Sequence, residues 1–318
     1  FRNDFVLGLL KDSEVYVSIA DVVKTKELAE EGCKIIKTPI NRRGVNPVED
    51  FKLFLAYRKL MKEIKPDLVA TYTIKPNIYG GMAAQSRKLP YIETITGLGG
   101  AFDRKGLFLK LIVTLYRIGM KKAECIFFQN RENRQIFRDF GIEGKSECLV
   151  NGSGVDLIRH TFEPYPMDEK CQFLFVGRVM KERGIVEFLE AAKKLHSENV
   201  EFAILGYCDE DYQQQLDDLE TQGVITQLGF HTEVHPYLKA ASAIVIACFH
   251  EGMSNALIEA SATGRPVIAS RISGCKEAFE EGITGFGFTP GKSEELIAAM
   301  EQFLSLTVKE RARMGQGA

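Results

Sequence analysis

The sequence predicts an α/β fold with two domains, each containing a parallel sheet. Short apolar or β-branched runs alternate with longer amphipathic stretches, which is the pattern of repeated strand–helix units. A polar stretch with two prolines and no hydrophobic period, His160–Lys170, separates these runs into two groups. We therefore expect one domain over residues 1–160 and a second over residues 161–318.

The predicted strands are short, and each is followed by a loop in which functional residues are expected. In the first domain the strands are Glu14–Ile19, Asp67–Tyr72, Tyr91–Ile95 and Cys125–Gln129. In the second domain they are Gln172–Val176, Glu201–Leu205, Ala243–Cys248 and Pro266–Ser270. Ligands of an open parallel sheet bind outside the carboxyl ends of its strands, so these loops are the places to search for chemistry.

Composition excludes several classes of function. The 318 residues are 45% hydrophobic, and 41 Lys and Arg are matched by 43 Asp and Glu, so no global charge would recruit nucleic acid. No uncharged apolar run of about 20 residues occurs, so no membrane-spanning helix is expected. The seven widely spaced cysteines are interpreted as reduced core residues of a cytosolic protein, with disulfides or metal ligands as the alternative.

The first loop of the second domain is rich in cations. The segment Gly177–Gly184 follows a predicted strand, opens a helix and contains Arg178, Lys181 and Arg183. Guanidinium groups and the backbone N–H groups at a helix start both bind phosphate oxygens, so this loop is a candidate diphosphate site. A solvated basic turn is the alternative.

A second loop, Phe249–Asn255, follows the most buried predicted strand and leads into a helix. Ser254 or Asn255 can cap that helix, whose first N–H groups could also donate hydrogen bonds to an anion. Glu251 lies in the loop, and Glu259 lies four residues after Asn255 on the same helical face. One carboxylate can accept hydrogen bonds from a ribose and the other can face a sugar. Ordinary solvation is the alternative for either glutamate taken alone.

Three segments together resemble glycosyltransferase family 4. They are Gly177-Arg178 with Arg183-Gly184, then Glu251–Ala260 with the family's E-x7-E spacing, then Gly264–Ser270. The resemblance implies a GT-B architecture, in which two Rossmann-like domains with parallel sheets face a central cleft. Relatives usually extend further at both ends, so we expect the first strand of the first domain and the last helix of the second to be missing.

The same resemblance implies roles for individual residues of the second domain. Arg178 and Arg183 would contact the donor diphosphate, although many members carry Lys at the second position. Glu259 would bind the ribose and Glu251 would face the transferred sugar, so the catalytic group is Glu251 with the two arginines. The remaining donor-binding positions would be Gly177, Lys181, Gly252, Met253, Ser254 and Asn255.

The first half is similar to the bacterial members of that family that build lipid-linked polysaccharide repeat units. The similarity lies in Pro39–Pro47, Thr71–Gly80 and Thr94–Gly99. Thr96 stands where many relatives carry a His, which leaves a side-chain role there open, and an ordinary Gly-rich turn is the alternative. The implied acceptor or cleft positions are Tyr72, Lys75, Thr96 and Gly97.

A basic amphipathic helix is predicted from Arg104 to Lys122. Its cations Lys110, Arg117 and Lys121 fall on one stripe of a helical wheel. The opposite stripe consists of Phe108, Leu111, Leu115 and Gly119. Such a helix can lie in a headgroup layer with its cations toward anionic lipid. A core-packed helix with one wet face is the alternative.

The resemblance to this family and to its bacterial members implies a retaining glycosyltransferase. It would move a hexose or N-acetylhexosamine from a nucleotide sugar, with UDP favoured, to a polyprenyl-linked saccharide acceptor in bacterial surface polysaccharide or glycan biosynthesis. It would act in the cytoplasm, peripherally on the inner face of the cell membrane. Asp209-Glu210-Asp211 is interpreted as a solvated acidic loop rather than a D-x-D metal site, so neither a metal nor a cofactor is expected.

Three other functions remain open at this stage. A nicotinamide-dependent oxidoreductase would share the alternation of strands and helices, but no G-x-G-x-x-G opens a helix in the right place. A GT-B enzyme that epimerises or hydrolyses nucleotide sugars would have the same fold and is separated only by its product. A non-catalytic sugar-nucleotide-binding subunit is the third, and the retention of both glutamates and both arginines argues against it.

Overall fold

The computed structural model describes residues 3–20, 25–41, 46–102, 105–167 and 170–317. Parts of three predicted features lie outside these ranges: residues 42–45 of the Pro39–Pro47 motif, Arg104 of the predicted basic helix, and Asp168 and Glu169 of the predicted linker. The chain divides into two compact units, Phe1–Ser153 and Gly154–Ala318. The division precedes the stretch predicted as a linker, so that stretch lies in the second unit.

The first unit contains two parallel sheets. Strands β1 (Tyr16–Ile19) and β2 (Lys34–Lys37) form a parallel pair. The second sheet is parallel throughout, in the order β3-β4-β5-β6. Its strands are β3 (Val69–Tyr72), β4 (Tyr91–Ile95), β5 (Cys125–Phe128) and β6 (Glu147–Leu149). The helices are α1 (Asn3–Leu10), α2 (Lys26–Glu30), α3 (Pro47–Ile64), α4 (Gly81–Arg87), α5 (Leu107–Met120) and α6 (Arg131–Asp139).

Helices α3, α4 and α5 form one layer on the second sheet, because α4 packs against both of its neighbours. Helix α3 begins with a side-chain cap followed by a proline. The Asn46 side chain accepts from the backbone N–H groups of Val48 (3.0 Å) and Glu49 (3.4 Å), and Pro47 occupies the first helical position. A π-helical turn, Pro76–Gly80, leads into α4.

The predicted basic helix is α5, and its orientation differs in one respect from the expectation. Lys110, Arg117 and Lys121 are exposed, and Gly119 is buried. Leu111, however, was expected opposite the cations and lies exposed among them, because packing against the sheet and α4 buries the neighbouring residues Ile112 and Val113 instead. The Arg117 guanidinium donates from Nε to the Phe140 carbonyl oxygen at the end of α6 (2.8 Å), so it also joins two helices.

The second unit is a six-stranded parallel sheet in the order β12-β11-β10-β7-β8-β9. Its strands are β7 (Cys171–Val176), β8 (Val200–Leu205), β9 (Thr226–Gly229), β10 (Ala243–Ile246), β11 (Val267–Ser270) and β12 (Gly285–Phe288). Its helices are α7 (Ile185–Leu195), α8 (Gln213–Thr221), α9 (His235–Ala240), α10 (Asn255–Ala262), α11 (Ser293–Ser305) and α12 (Val308–Gln316).

The central strands of this sheet are buried on both faces. Phe173 and Phe175 of β7 pack into a cluster with α7 and α11, while Leu174 between them packs into a cluster with α10 on the other face. Such double burial explains why these strands read as continuous apolar runs rather than as alternating ones. The predicted α/β fold with parallel sheets is confirmed.

Arg265 explains why the predicted linker belongs to the second unit. Its side chain is completely buried and its guanidinium donates to the carbonyl oxygens of Glu163 (2.9 Å), Pro164 (2.8 Å) and Lys239 (2.7 Å). A buried guanidinium satisfied in this way fixes Glu163 and Pro164 against the start of β11.

All seven cysteines are free thiols, and four of them are buried as expected. Cys148 is exposed at the short edge strand β6, which corrects the interpretation of all seven as core residues. Among the described residues, no helix is both long and apolar enough to cross a membrane.

Candidate functional site

The two loops singled out in the second half of the sequence follow adjacent strands. Strand β7 pairs with β10 on one side and with β8 on the other, so the order in which strands were added reverses at β7. In an open parallel sheet the crevice at such a switch point is where ligands bind. The loop after β7 carries Arg178 and Arg183, and the loop after β10 carries Glu251.

The two loops touch through their backbones. The Phe249 N–H donates to the carbonyl oxygen of Glu182 (3.0 Å). Gly184 has φ +74°, and a Cβ at this position would lie 2.1 Å from the carbonyl oxygen of Ala247. Only glycine meets both conditions, since other residues avoid positive φ and would collide with β10. Gly184 therefore lets the cationic loop lie directly beside the glutamate loop.

Each arginine of the site is paired with a carboxylate. Arg183 forms an ion pair with Glu251 across the two loops. Arg178 donates from Nη1 to Asp209 Oδ2 at 2.7 Å, while 38% of its side chain remains exposed. Burial lowers the pKa of Arg183 from its ordinary value. The ion pair with Glu251 supplies the counter-charge that a half-buried guanidinium needs.

The acidic loop after β8 takes part in this site, which corrects its interpretation as solvated surface. Asp209 is the partner of Arg178, and Glu210 accepts from the Lys181 backbone N–H (2.8 Å). The Lys181 side chain itself is exposed. A short parallel bridge between Val179 and Cys208 holds the two loops together. No sequence pattern indicated this contact, because it depends on β8 lying next to β7.

Glycines shape the rim of the site. Gly177 has φ +146°, and a Cβ there would meet no other atom within 4 Å, so the space beside it is open. Gly206, which the sequence analysis did not single out, lies where a Cβ would be 1.8 Å from the Gly177 carbonyl oxygen. The absence of a side chain at position 206 thus allows the ends of β7 and β8 to approach closely.

A third loop, after β11, supports the glutamate loop. The Ser254 N–H donates to the Gly274 carbonyl oxygen (2.8 Å), and a Cβ on Gly274 would lie 2.6 Å from the Gly252 carbonyl oxygen. The Glu277 carboxylate accepts from the Gly274 N–H (2.6 Å) and so closes this turn. Gly252 is buried and Met253 is half-buried between the two loops.

Helix α10 begins at Asn255 with Ser254 in the capping position. Ser254 is buried but its side chain makes no capping hydrogen bond, which corrects the expectation that a side chain would satisfy this helix start. The backbone N–H of Ser254 donates to the Gly274 carbonyl oxygen. Asn255 is the first helical residue and is half-buried.

Glu259 is half-buried on α10, one turn beyond Asn255. Burial raises the pKa of its carboxyl group to about 7, and the negative charge of Glu233 adds to the effect. A group with this pKa exchanges its proton near neutral pH, and its charged form is an acceptor for hydroxyl donors.

The positions singled out in the first unit also lie at the carboxyl edge of a sheet. Tyr72 ends β3 and Lys75 follows it, while Thr96 and Gly97 follow β4. Because β3 and β4 are neighbouring parallel strands, these residues lie at the same edge of the sheet. Lys75 forms an ion pair of 2.7 Å with Asp50 on α3. Gly97 has φ +124°, which favours glycine at that turn.

Comparison with known proteins identifies the fold and the family. Residues 170–305 match the family described as "Glycosyl transferases group 1", and residues 2–130 match the family described as "Glycosyl transferase 4-like". The structure of HepE from Anabaena in complex with UDP-glucose aligns with a TM-score of 0.80 over 99% of this chain and 88% of that chain, at 17% identity. The chain belongs to glycosyltransferase family 4. The predicted GT-B fold is confirmed by this alignment.

Two curated relatives of this glycosyltransferase carry specific names. The N,N'-diacetylbacillosaminyl-diphospho-undecaprenol α-1,3-N-acetylgalactosaminyltransferase of Campylobacter jejuni is 26% identical in an alignment 300 positions long that covers 88% of this chain and 79% of the relative. The UDP-Gal:α-D-GlcNAc-diphosphoundecaprenol α-1,3-galactosyltransferase of Escherichia coli is 26% identical in an alignment 266 positions long that covers 77% of this chain and 68% of the relative. Both names describe glycosyl transfer to a lipid diphosphate saccharide.

Glu259 predicts a pH dependence of the stability of this glycosyltransferase. The unfolded chain releases this proton near its ordinary pKa of 4.5, while the folded chain holds it until about 7. The free energy of unfolding should therefore fall as pH rises through this window, by about 3 kcal/mol at most, and the loss should be complete above it. Thermal unfolding measured across the window should show this slope reduced in Glu259→Gln.

Glu301→Gln is the matched control, because Glu301 is exposed on α11 in the same unit. It should keep the wild-type slope. If wild type and Glu259→Gln lose stability in parallel across the window, the assignment of a raised pKa to Glu259 is wrong.

Proposed function

We propose that this glycosyltransferase moves a hexose or N-acetylhexosamine from a UDP-sugar to a polyprenyl-diphosphate-linked saccharide in bacterial surface polysaccharide or glycan biosynthesis. The observation that carries the donor half of the proposal is the meeting of Arg178, Arg183 and Glu251 at the switch point of the second sheet. The acceptor half is supported by the names of the two relatives, which both act on diphospho-undecaprenol-linked sugars. The complex of HepE with UDP-glucose supports UDP as the nucleotide.

The donor diphosphate is assigned to the two arginines. Bidentate guanidinium contacts suit phosphate oxygens, and fixed positive charge stabilises the leaving diphosphate as the glycosidic bond breaks. The open space beside Gly177 admits the ligand to the backbone, and the start of α10 at Asn255 adds N–H donors. Lys181 supplies a third cation at the rim.

The two glutamates receive separate tasks. A diphosphate that binds Arg183 replaces the Glu251 carboxylate as its partner, which leaves Glu251 able to accept a hydroxyl of the transferred sugar. Glu259 accepts from the ribose hydroxyls in its charged form. Gly252 and Met253 follow Glu251 in the loop that leads to α10. Binding therefore gives Arg183 a new anionic partner in place of Glu251.

The proposed chemistry proceeds with retention at the anomeric carbon. The acceptor hydroxyl attacks on the face from which UDP departs, through an oxocarbenium-like transition state, and its proton leaves with the departing diphosphate. The protein positions the acceptor and neutralises the leaving group. Because Arg178, Arg183 and the start of α10 supply the positive charge, this mechanism uses neither a metal nor a cofactor.

Replacement of Glu251 tests the proposal. Glu251→Gln should lower the rate of sugar transfer by on the order of 10²–10³ while UDP still binds, because the side chain is assigned to the sugar and not to the nucleotide. Transfer is measured with radiolabelled UDP-sugars and a polyprenyl diphosphate N-acetylglucosamine acceptor, and UDP affinity by calorimetry.

Glu281→Gln serves as the control, since Glu281 forms an exposed ion pair with Arg271 in the same unit. It should transfer sugar at the wild-type rate. Undiminished transfer by Glu251→Gln would remove Glu251 from the sugar site, and an inverted anomeric product would refute retention.

We further propose that the outer face of α5 and α3 docks on an anionic membrane at the inner face of the cell. Leu107, Leu111 and Ile118 are 84%, 48% and 50% exposed on α5, in line with Lys110 and Lys121. On the other side of α4, helix α3 repeats this composition with exposed Val48, Phe51 and Leu55 beside exposed Lys52 and Lys59. Exposed leucines between lysines suit the boundary between acyl chains and anionic headgroups. A membrane-bound acceptor would bring the enzyme to such a surface.

The double variant Leu107→Ser/Leu111→Ser should release the protein from vesicles of phosphatidylcholine and phosphatidylglycerol in co-sedimentation. Its matched control is Leu157→Ser/Ile158→Ser, which removes equally exposed apolar residues from the second unit and should bind as wild type does. Lys110→Gln/Lys121→Gln should weaken binding only to vesicles that contain the anionic lipid. Equal sedimentation of all variants would contradict this docking surface.

A further inference from the structure

We infer that Asp50 is a positioning residue for the acceptor, which holds Lys75 so that its ammonium group meets the acceptor diphosphate. The inference rests on the proposed function for the chemistry of the acceptor. It concerns the turn after β3 in the first unit, residues 73–80, together with Asp50 on α3.

Both carboxylate oxygens of Asp50 are used by this one turn. Oδ1 accepts from Lys75 Nζ at 2.7 Å, and Oδ2 accepts from the Tyr79 hydroxyl at 3.1 Å. Only 14% of the Lys75 side chain and 10% of the Asp50 side chain are exposed. A buried ion pair stabilises a fold little compared with apolar side chains of the same volume, so stability alone does not account for it.

The turn itself is strained in a way that surface turns seldom are. Thr73 has φ +70°, a conformation that is unfavourable for a β-branched residue. The helix that follows starts with the π-helical turn Pro76–Gly80. Asn77 is 1% exposed and donates to the Thr94 carbonyl oxygen at the end of β4 (3.0 Å). Strained backbone and π-helical turns are concentrated at functional sites, and this one lies at the carboxyl end of a parallel strand.

The contacts of Lys75 leave capacity for a ligand. An ammonium group has three N–H donors, and Asp50 takes one of them. The Tyr79 hydroxyl keeps its proton for Asp50, because burial raises its pKa to about 12, with the negative charge of Asp50 adding to the effect. Lys75 is thus a cation of fixed position at the sheet edge where the acceptor substrate is expected to bind. Its ammonium group can donate hydrogen bonds to phosphate oxygens, which lysine binds well.

Loss of the Asp50 charge should weaken this site although it raises the net positive charge. A buried ammonium without a counter-charge is costly, so it loses its proton or moves out to water. In either case the ammonium group of Lys75 is no longer placed where it would contact the acceptor diphosphate. The same argument predicts that Asp50 matters only while Lys75 is present.

The experiment is calorimetric titration of the full chain with farnesyl diphosphate at saturating UDP, so that the donor site is filled. Asp50→Asn and Lys75→Met should each weaken binding by about 10-fold or more, the effect of losing one hydrogen bond to a charged group. The double variant should bind no more weakly than Lys75→Met, which shows that the two act as a unit. UDP affinity should be unchanged in all of them.

Asp67→Asn is the matched control, because it removes one exposed carboxylate from the same unit and should bind as wild type does. Wild type that fails to bind farnesyl diphosphate, Asp50→Asn that binds as well as wild type, or additive losses in the double variant would each overturn the inference. If Asp50→Asn does not fold, Tyr79→Phe and Lys75→Met decide, and wild-type affinity in both overturns it. Asp50-dependent binding without any sugar transfer by wild type would refute the proposed function alone.

Discussion

The pairing of β7 with β10 is the contact on which the rest of the proposed donor site depends. It puts the loop that carries Arg178 and Arg183 beside the loop that carries Glu251, although about seventy residues separate them in sequence. The fit requires Gly184, whose positive φ and lack of a side chain let α7 start against the Ala247 carbonyl group. Gly206 and Gly274 likewise lack a side chain that would collide with a neighbouring carbonyl group, so the loops after β8 and β11 can approach the loops beside them. The site is therefore assembled by close backbone approach, and its charged side chains are placed as a consequence.

The charges of the site are balanced before any donor binds. Arg183 is paired with Glu251 and Arg178 with Asp209, so neither guanidinium stands as an unpaired buried charge. A diphosphate offers the same kind of partner as a carboxylate, with more acceptor atoms. Under the proposed function, exchange of one anionic partner for another would let the site bind a doubly charged group without the desolvation of a bare cation. The pair of Lys75 and Asp50 in the first unit is likewise buried with its charges balanced.

Sequence patterns predicted the elements with strong apolar runs and missed those without them. The runs at Gln172–Val176 and Ala243–Cys248 became central strands, since burial on both faces demands such residues. The edge strands β9 (Thr226–Gly229) and β12 (Gly285–Phe288) were not predicted. The first exposes both of its ends and the second contains two glycines, so neither carries a clear strand signal.

Sequence patterns likewise predicted some residues of the candidate site and missed others. Arg178, Arg183 and Glu251 could be proposed because each lies in a loop directly after a predicted strand. Asp209 and Asp50 could not, since their partners are set by which strands and helices are neighbours, and local pattern does not contain that order. Leu111 was placed on the wrong side of its helix for a related reason. A helical wheel fixes the stripes, but packing against α4 and the sheet decides which stripe is buried.

The most direct test of the central claim is calorimetric titration of the protein with UDP, GDP, ADP, CMP and NAD, repeated with Arg178→Ala. The account predicts that UDP binds in preference to the other four and that Arg178→Ala weakens this binding strongly, because the guanidinium is assigned to the diphosphate. Binding of NAD in place of UDP, or UDP affinity that is unchanged in Arg178→Ala, would contradict it.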